Sequence, residues 1–528
     1  MMAPMATPLS AAGRRWAIAT PHWPASEVGA AAFRAGGNAL DAALAAATAL
    51  AVTYPHNCSA GGDLFALVRR PDGEVVAINA SGAAPAALTV DSVGSHAAMP
   101  QRGPMTVTVP GVVDGWRALA ELGARLGLQA AIAPAIGLAD EGVPVARSLA
   151  AAIVDNREVL LADPACAALF LPDGHPLLEG HLLRQPALAR TLAAVGEQGA
   201  SAVYGGEVGR RWVASLNTAG SPMTVRDLAG HRTEVCSPLR GGFRDLDVLV
   251  APPNSQGFVL LEILTAAELL GLDPDPTGRD AAVLAEIFRR ASADRDRFLA
   301  DPRRAAVPVD ELLTARNIAR LVEDVRRHGA RGGEPLRPSG DTIALVAADA
   351  DGWAVSLIQS LYDGFGSGIM DPETGVIFHS RGACFSLDPE SPNVIDGGKR
   401  PLHTLMPVLA LRNRHLAAVA GTMGGGAQPQ INAMSVLRVF GLGMSVLDAL
   451  HAPRWVIGGM GVDAASLIVE AEARVPRGLL DAFEDSGFDV AVLDEWSEAV
   501  GHAHLIAVGN DGFEVATDPR ADGSALAG

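Results

Sequence analysis

The sequence predicts a mixed α+β fold on three observations. Two helical segments near the N-terminus lead into a pair of short apolar runs around a turn. Helical periodicity dominates the middle of the chain. Beyond residue 341 the pattern switches to strands. Ser26 to Arg34 reads as a helix stopped by Gly36-Gly37, and Asn38 is placed to cap the alanine-rich helix that follows. That second helix, Ala42 to Val52, is apolar all round and reads as buried. Gly61-Gly62-Asp63 breaks the helical stretch. Leu64–Arg69 and Val75–Ala80 then read as two strands about the turn Pro71-Asp72-Gly73-Glu74. From about Val112 to Asn317 the spacing is helical; Leu284, Ile287, Phe288 and Ala291 form one apolar stripe, with Arg289 and Arg290 opposite. The segment His328 to Asp341 is rich in glycine, proline and charge and reads as an exposed, flexible loop. Immediately after it, Ile343–Ala348 and Trp353–Leu361 read as a hairpin about Asp349-Ala350-Asp351-Gly352.

A chain of 528 residues is long enough for one large or two ordinary domains. Hydrophobic residues at 49% and charged residues at 19% favour a large core over disorder. The net charge of −18 argues against nucleic acid and anionic membrane as partners. No apolar run long enough for a secretory signal follows Arg14-Arg15, and Ala42–Val52 falls short of the roughly 18 residues of a membrane span. Cys58, Cys166, Cys236 and Cys384 form no C-x-x-C pair and no disulfide framework, which fits a reducing cytoplasm. The histidines show no H-E-x-x-H, and His502 with His504 reads as a strand-end pair without a metal.

A flexible loop thus delivers Thr342 to the first position of a buried hairpin. If the Asp341–Thr342 bond is broken, Thr342 gains a free α-amino group that can take the proton from its own hydroxyl, so the nucleophile carries its general base. The same hydroxyl can first attack the Asp341 carbonyl, joining maturation and catalysis in one group. A threonine opening a strand is also simply a good β-former. Acyl transfer needs oxyanion donors as well, and Gly421-Thr422-Met423-Gly424-Gly425-Gly426 follows the apolar run Leu416–Ala420. That loop has no phosphate-binding pattern, and Gly364-Phe365-Gly366-Ser367-Gly368 is not a nucleophile elbow.

With these residues in view, the chain resembles the γ-glutamyltranspeptidase family of N-terminal nucleophile hydrolases over nearly its whole length. The resemblance rests on an ordered series: Gly36-Gly37-Asn38-Ala39-Leu40-Asp41, Pro55-His56 with Gly61-Gly62, Val109-Pro110-Gly111, Pro252-Pro253-Asn254-Ser255-Gln256-Gly257, Asp341-Thr342, Lys399-Arg400-Pro401, Gly424-Gly425, Ala452-Pro453-Arg454 and Asp518-Pro519-Arg520. It implies a four-layer αββα sandwich. It also implies self-cleavage into a large chain, Met1–Asp341, and a small chain, Thr342–Gly528, that stay associated as one intertwined domain. Thr342 aligns with the family nucleophile, Gly424 and Gly425 with its oxyanion hole, and Ser360 with a threonine that supports the nucleophile. His403 and Thr404 fall on a serine pair that binds the donor carboxylate. No metal or cofactor is implied.

The departures bear on substrate. Family members that take γ-glutamyl groups carry an arginine where this chain has Ser81, and an aspartate where it has Cys384. Both charged anchors of a glutamate head group are missing, and a hydroxyl and a thiol do not replace them. An asparagine of the family site becomes Tyr362. The stretches Ile358–Tyr362 and Arg381-Gly382 instead resemble a branch that includes cephalosporin-acylase-like and oxamate-amidase-like members. Arg381 or Arg400 is available for a substrate carboxylate, though Arg400 reads better as a structural ion pair. The expectation is therefore an amidohydrolase acting on a small amide with water as acceptor. True γ-glutamyl transfer and an uncleaved, non-catalytic binding protein stand as alternatives, and assembly into a homo-oligomer is left open.

Overall fold

The structure is a computed structural model that describes residues 8–94, 96–328, 341–461 and 466–528. Two seven-stranded antiparallel sheets lie at its centre. One runs, in spatial order, Ser524–Ala527, Trp16–Thr20, Asp341–Asp349, Ala354–Tyr362, Asp63–Arg69, Val75–Ala80 and Glu234–Cys236. The other runs Ser10–Gly13, Gly512–Thr517, Ala503–Gly509, His415–Thr422, Val408–Arg412, Leu246–Val250 and Leu239–Phe243. Each sheet takes strands from both sides of residue 341.

Side-chain parity builds the layers. Along Asp341–Asp349, Ile343, Leu345 and Ala347 join the core under the helices Trp23–Arg34 and Ala39–Thr53. Val346 and Ala348 instead pack between the sheets, with Leu409, Val419 and Ile506 of the opposite one. The second sheet's outer face, through Val248, Val250, Val408 and Ala418, meets the helices Gly257–Leu270, Ala281–Phe298 and Gln428–Val436. Both sheets are buried on both faces, which is the αββα sandwich.

Local chemistry explains most of the elements. Asn38 accepts from the backbone N–H groups of Leu40 and Asp41, and the Asp41 carboxylate accepts from Asn38 N in return, a capping box that starts the alanine-rich helix. The first helix begins at Trp23, three residues ahead of the expected Ser26, because Pro24 sits comfortably in the opening turn. Both expected hairpins form, the second as Asp341–Asp349 with Ala354–Tyr362. One expectation fails: inside the stretch read as helical lie the strands Glu234–Cys236, Leu239–Phe243 and Leu246–Val250. Their alternation is short and interrupted by Gly241-Gly242 and by a turn at Arg244 (φ 54°), so neighbouring helical periodicity masked it. The loop expected between His328 and Asp341 lies, apart from its end residues, outside the described residues.

Candidate active site

Thr342 stands second in its strand and is 1% exposed. It pairs with Ser360 across the hairpin, and its Oγ1 donates to Ser360 Oγ at 3.0 Å. Ser360 Oγ also accepts from the backbone N–H of Tyr362 at 2.8 Å. The pairing register shifts between Asp341 and Thr342, which leaves Leu361 unpaired in the ladder and turns its N–H onto the Asn57 carbonyl at 2.9 Å. Asn57 in turn donates its side-chain amide to the Thr342 carbonyl at 3.4 Å. Such a bulge re-aims the side chains at a strand end. Gly62 lets this loop close in, since a Cβ there would sit 2.5 Å from the Ser360 carbonyl oxygen.

The glycine loop reaches the same end of the sandwich. A Cβ built on Gly421 would touch Ala344 and Ser356 of the Thr342 sheet, and Ser356 Oγ donates to Ala420 O at 2.7 Å. Descending the first strand from Val346 to Ala344 therefore corresponds to ascending the second from Ala420 to Gly421. Continued two and three residues, these paths carry Thr342 and Gly424 to one edge. By parity Thr342, Ser360 and Ser356 all face the opposite sheet. Gly424 (φ 145°) and Gly425 (φ 50°) have backbone angles that favour glycine, and a Cβ on Gly424 would strike Ile431 at 2.5 Å. Gln256 ties this loop to the Thr404 segment: its Nε2 donates to Gly425 O at 2.9 Å and to Thr404 O at 2.8 Å.

Between these walls lie the remaining candidates. Tyr362 is buried with a left-handed φ of 80°, a conformation costing on the order of 1–3 kcal/mol for so large a residue. The Arg381 guanidinium lies over its ring, 4.3 Å from the centroid. Arg381 Nη1 donates to Thr404 Oγ1 at 3.0 Å and to Cys384 Sγ at 3.7 Å. Burial pushes the Cys384 thiol up, so it stays protonated. His403 Nε2 lies 3.0 Å from Asp63 Oδ2, while His403 Nδ1 accepts from Leu405 N at 3.3 Å. Burial, and then the Arg381 charge, lower His403 to about 3, leaving it neutral with the proton on Nε2. Burial alone would raise Asp63, but His379 and His403 together hold it well below the usual carboxylate range.

Ser81 takes no part in that wall. Its hydroxyl donates to Asn79 Oδ1 at 2.6 Å and accepts from Asn254 Nδ2 at 3.3 Å, filling a neutral polar knot. Arg400 pairs with Glu234 at 2.8 Å and donates to Arg232 O at 3.1 Å, as the structural reading has it. It lines a separate cavity of about 820 Å³ with Arg226, Arg232 and Arg303. Asp63, Asn57 and Gln256 were not expected at the site. Only the motifs Pro55-His56, Gly61-Gly62 and Asn254-Ser255-Gln256-Gly257 hinted at their segments. His502 and His504 lie apart, one before and one within the strand Ala503–Gly509.

Helices outside, two antiparallel sheets inside and a hydroxyl residue opening a central strand define an N-terminal nucleophile hydrolase. A gamma-glutamyltranspeptidase family profile matches residues 25–528, and the chain belongs to that family. It is 36% identical to an oxamate amidohydrolase proenzyme of Klebsiella pneumoniae, over 96% of this chain and 97% of that one. It is also 36% identical to a glutathione hydrolase-like proenzyme of Bacillus subtilis, over 98% and 99%. The crystal structure of a cephalosporin acylase from Bacillus halodurans superposes with a TM-score of 0.90 at 31% identity, covering 100% of this chain and 99% of that one. The protein is an amide-hydrolysing enzyme. Among the described residues no helix is long and apolar enough to cross a membrane, and the four thiols are free.

Proposed function

We propose that the chain cuts itself before Thr342 and then hydrolyses a small amide through an ester on Thr342. The observation that carries this is the Thr342–Ser360 hydroxyl pair at the bulged head of a central strand, opposite the glycine loop. In maturation, Thr342 Oγ attacks the Asp341 carbonyl carbon, the Asp341–Thr342 amide becomes an ester, and water opens it. Asp341 leaves as a carboxylate and Thr342 keeps a free amine. In turnover that amine takes the Oγ proton as Oγ attacks the substrate amide. The Gly424 and Gly425 N–H groups receive the oxyanion. The departing amine takes that proton from the Thr342 ammonium, and water, deprotonated by the regenerated Thr342 amine, hydrolyses the acyl ester. The Thr342–Ser360–Tyr362 N chain of hydrogen bonds orients the hydroxyl, and Tyr362, Arg381, Cys384, His403 and Thr404 form the acyl pocket.

Hydrolysis is favoured over γ-glutamyl transfer by the pocket's charges. Ser81 is bound into an asparagine knot, and Cys384 offers a neutral thiol where an ammonium would need an acid. The similarity to an oxamate amidohydrolase and to an acylase supports the same reading, and the free thiols support a cytoplasmic site. Intact-mass analysis and N-terminal sequencing test it: the mature protein is expected as two chains, the smaller beginning Thr-Ile-Ala-Leu. Thr342→Ala is expected to stay whole and to lose roughly a thousandfold or more in hydrolysis. Activity near wild type in that variant would remove the nucleophile assignment, and brisk glutathione turnover by the wild type would favour transfer.

A further inference from the structure

Arg381 is 1% exposed, yet only one of its three nitrogens is hydrogen-bonded. Nη1 meets a hydroxyl and a thiol, both neutral. Nε and Nη2 are buried and have no partner. Those two nitrogens form one edge of the guanidinium, with parallel N–H bonds at the spacing of a carboxylate's two oxygens. No carboxylate of the described residues pairs with it. Asp63, the buried acid beyond His403, is engaged by His403, His379 and Gly82 N. A sealed cation without a counter-charge costs several kcal/mol, and a fold does not keep one for stability. The free edge has a ligand's chemistry written on it.

Its position fixes where that ligand sits. Arg381 lies on Tyr362, whose N–H holds the Ser360 hydroxyl facing Thr342. On the other side Arg381 holds Thr404, whose carbonyl shares the Gln256 amide with Gly425. The guanidinium therefore stands between the nucleophile wall and the glycine wall, on the side where an acyl group would lie. We infer that Arg381 binds, through Nε and Nη2, a carboxylate carried on the acyl part of the substrate. The enzyme then takes monoamides of short dicarboxylic acids and releases ammonia or an amine. The Arg381 charge repels an α-ammonium at this position, so α-amino acyl groups are disfavoured. This inference rests on the proposed Thr342 chemistry, but Arg381 itself was reached from its unpaired edge.

The test compares kcat/KM of the mature protein for oxamate, malonamate and succinamate with that for the neutral acetamide and propanamide. N-acetylglycine places the carboxylate on the leaving side. At least one monoamide is expected to exceed the neutral amides by about 30-fold or more, the scale of a buried charged hydrogen-bond pair. Arg381→Gln should abolish that preference, chiefly through KM, and Arg381→Lys should restore part of it. Guanidinium ion added to Arg381→Ala should recover some rate on the monoamide and none on the neutral amide, which a structural role would not give. Equal rates on charged and neutral amides, or a preference that survives in folded Arg381→Gln, would overturn the inference. A preference for N-acetylglycine would overturn the acyl-side assignment. Calorimetry with oxalate, malonate and succinate keeps the two readings apart and serves if the glutamine variant fails to fold. Binding by the wild type that Arg381→Lys weakens supports the carboxylate site even if no amide is hydrolysed, an outcome that removes the Thr342 chemistry alone. Absence of binding by all three overturns the site.

Discussion

Arg381 and Arg520 are equally sealed from water and oppositely treated by the fold. Arg520, 0% exposed, donates from Nε and Nη2 to Glu472 at 2.6 Å each and from Nη1 to Asp518 at 2.9 Å, with backbone carbonyls of Leu450 and Ala452 completing its set. Arg454 beside it bonds Asp518 at 2.8 Å and the carbonyls of Val500 and Gly501. Charge and hydrogen-bond capacity are matched there. Arg381 has two neutral partners and an open edge. Burial alone does not distinguish a structural arginine from a binding one; the partner list does.

The sharpest way to break this contrast is to replace each arginine with methionine, which keeps bulk and removes charge. Arg520→Met leaves Asp518 and Glu472 with excess negative charge and is expected to cost about 3–5 kcal/mol in urea unfolding. Arg381→Met removes a buried charge that has no ion-pair partner among the described residues, and is expected to stabilise the fold by about 1–4 kcal/mol. Equal destabilisation by the two would make Arg381 a structural residue.

Acid should strike the paired region first. His502 and His504 lie beside Asp518, and burial lowers them to about 4 and about 3. His22 and His56 nearby are lowered to about 4 and about 3 by the same cause. The unfolded chain binds protons at these histidines near pH 6.5 while the folded chain does not, so stability is full above that pH. Each histidine then takes away roughly 1.4 kcal/mol per pH unit as pH falls from about 6.5 toward its folded value. Asp518 works in the same direction lower down: burial would raise it, but Arg454 and Arg520 hold it well below the usual range. Its contribution is present above about 3.8, the ordinary aspartate value, and is lost below it. Thermal midpoints should be flat above pH 7 and fall below 6.5, with amide exchange rising first in residues 500–520. A midpoint unchanged down to pH 5 would mean these rings accept protons in the folded state.

The N-terminal helices and the two hairpins were legible because capping, turn chemistry and alternation are local, whereas the four-layer stacking was implied only by the family resemblance. Asn38-x-x-Asp41 and Pro71-Asp72-Gly73-Glu74 carry their own geometry, and Thr342 was found because the loop-to-strand switch is sharp. The strands between Glu234 and Val250 were not legible, since they are short and one carries two glycines. The site was half legible. Residues on recognisable motifs, Gly424, Gly425 and the Asp341-Thr342 bond, could be named. Gln256 and Asp63 act from segments far off in sequence, and nothing local marks an amide that spans two loops or an acid shared by two histidines. Arg381 could be named as one of two arginines, but choosing between it and Arg400 required knowing that Glu234 lies 2.8 Å from the second.

The smallest expected effect sharpens the comparison at the proposed nucleophile. Ser360 is to Thr342 what Asp518 is to Arg520, a partner that fixes orientation, but it does so with one hydroxyl. Its Oγ accepts from both Thr342 Oγ1 and Tyr362 N. Ser360→Ala removes a neutral acceptor shared by the Thr342 hydroxyl and the Tyr362 N–H, a loss of roughly 1–2 kcal/mol. Self-cleavage and turnover should therefore both slow by about 10-fold, with KM nearly constant, because the hydroxyl is less well aimed and not less reactive. Ser360→Thr keeps the oxygen and should restore both rates. Slow turnover with normal self-cleavage would separate the two steps and place Ser360 on the substrate side of the site alone.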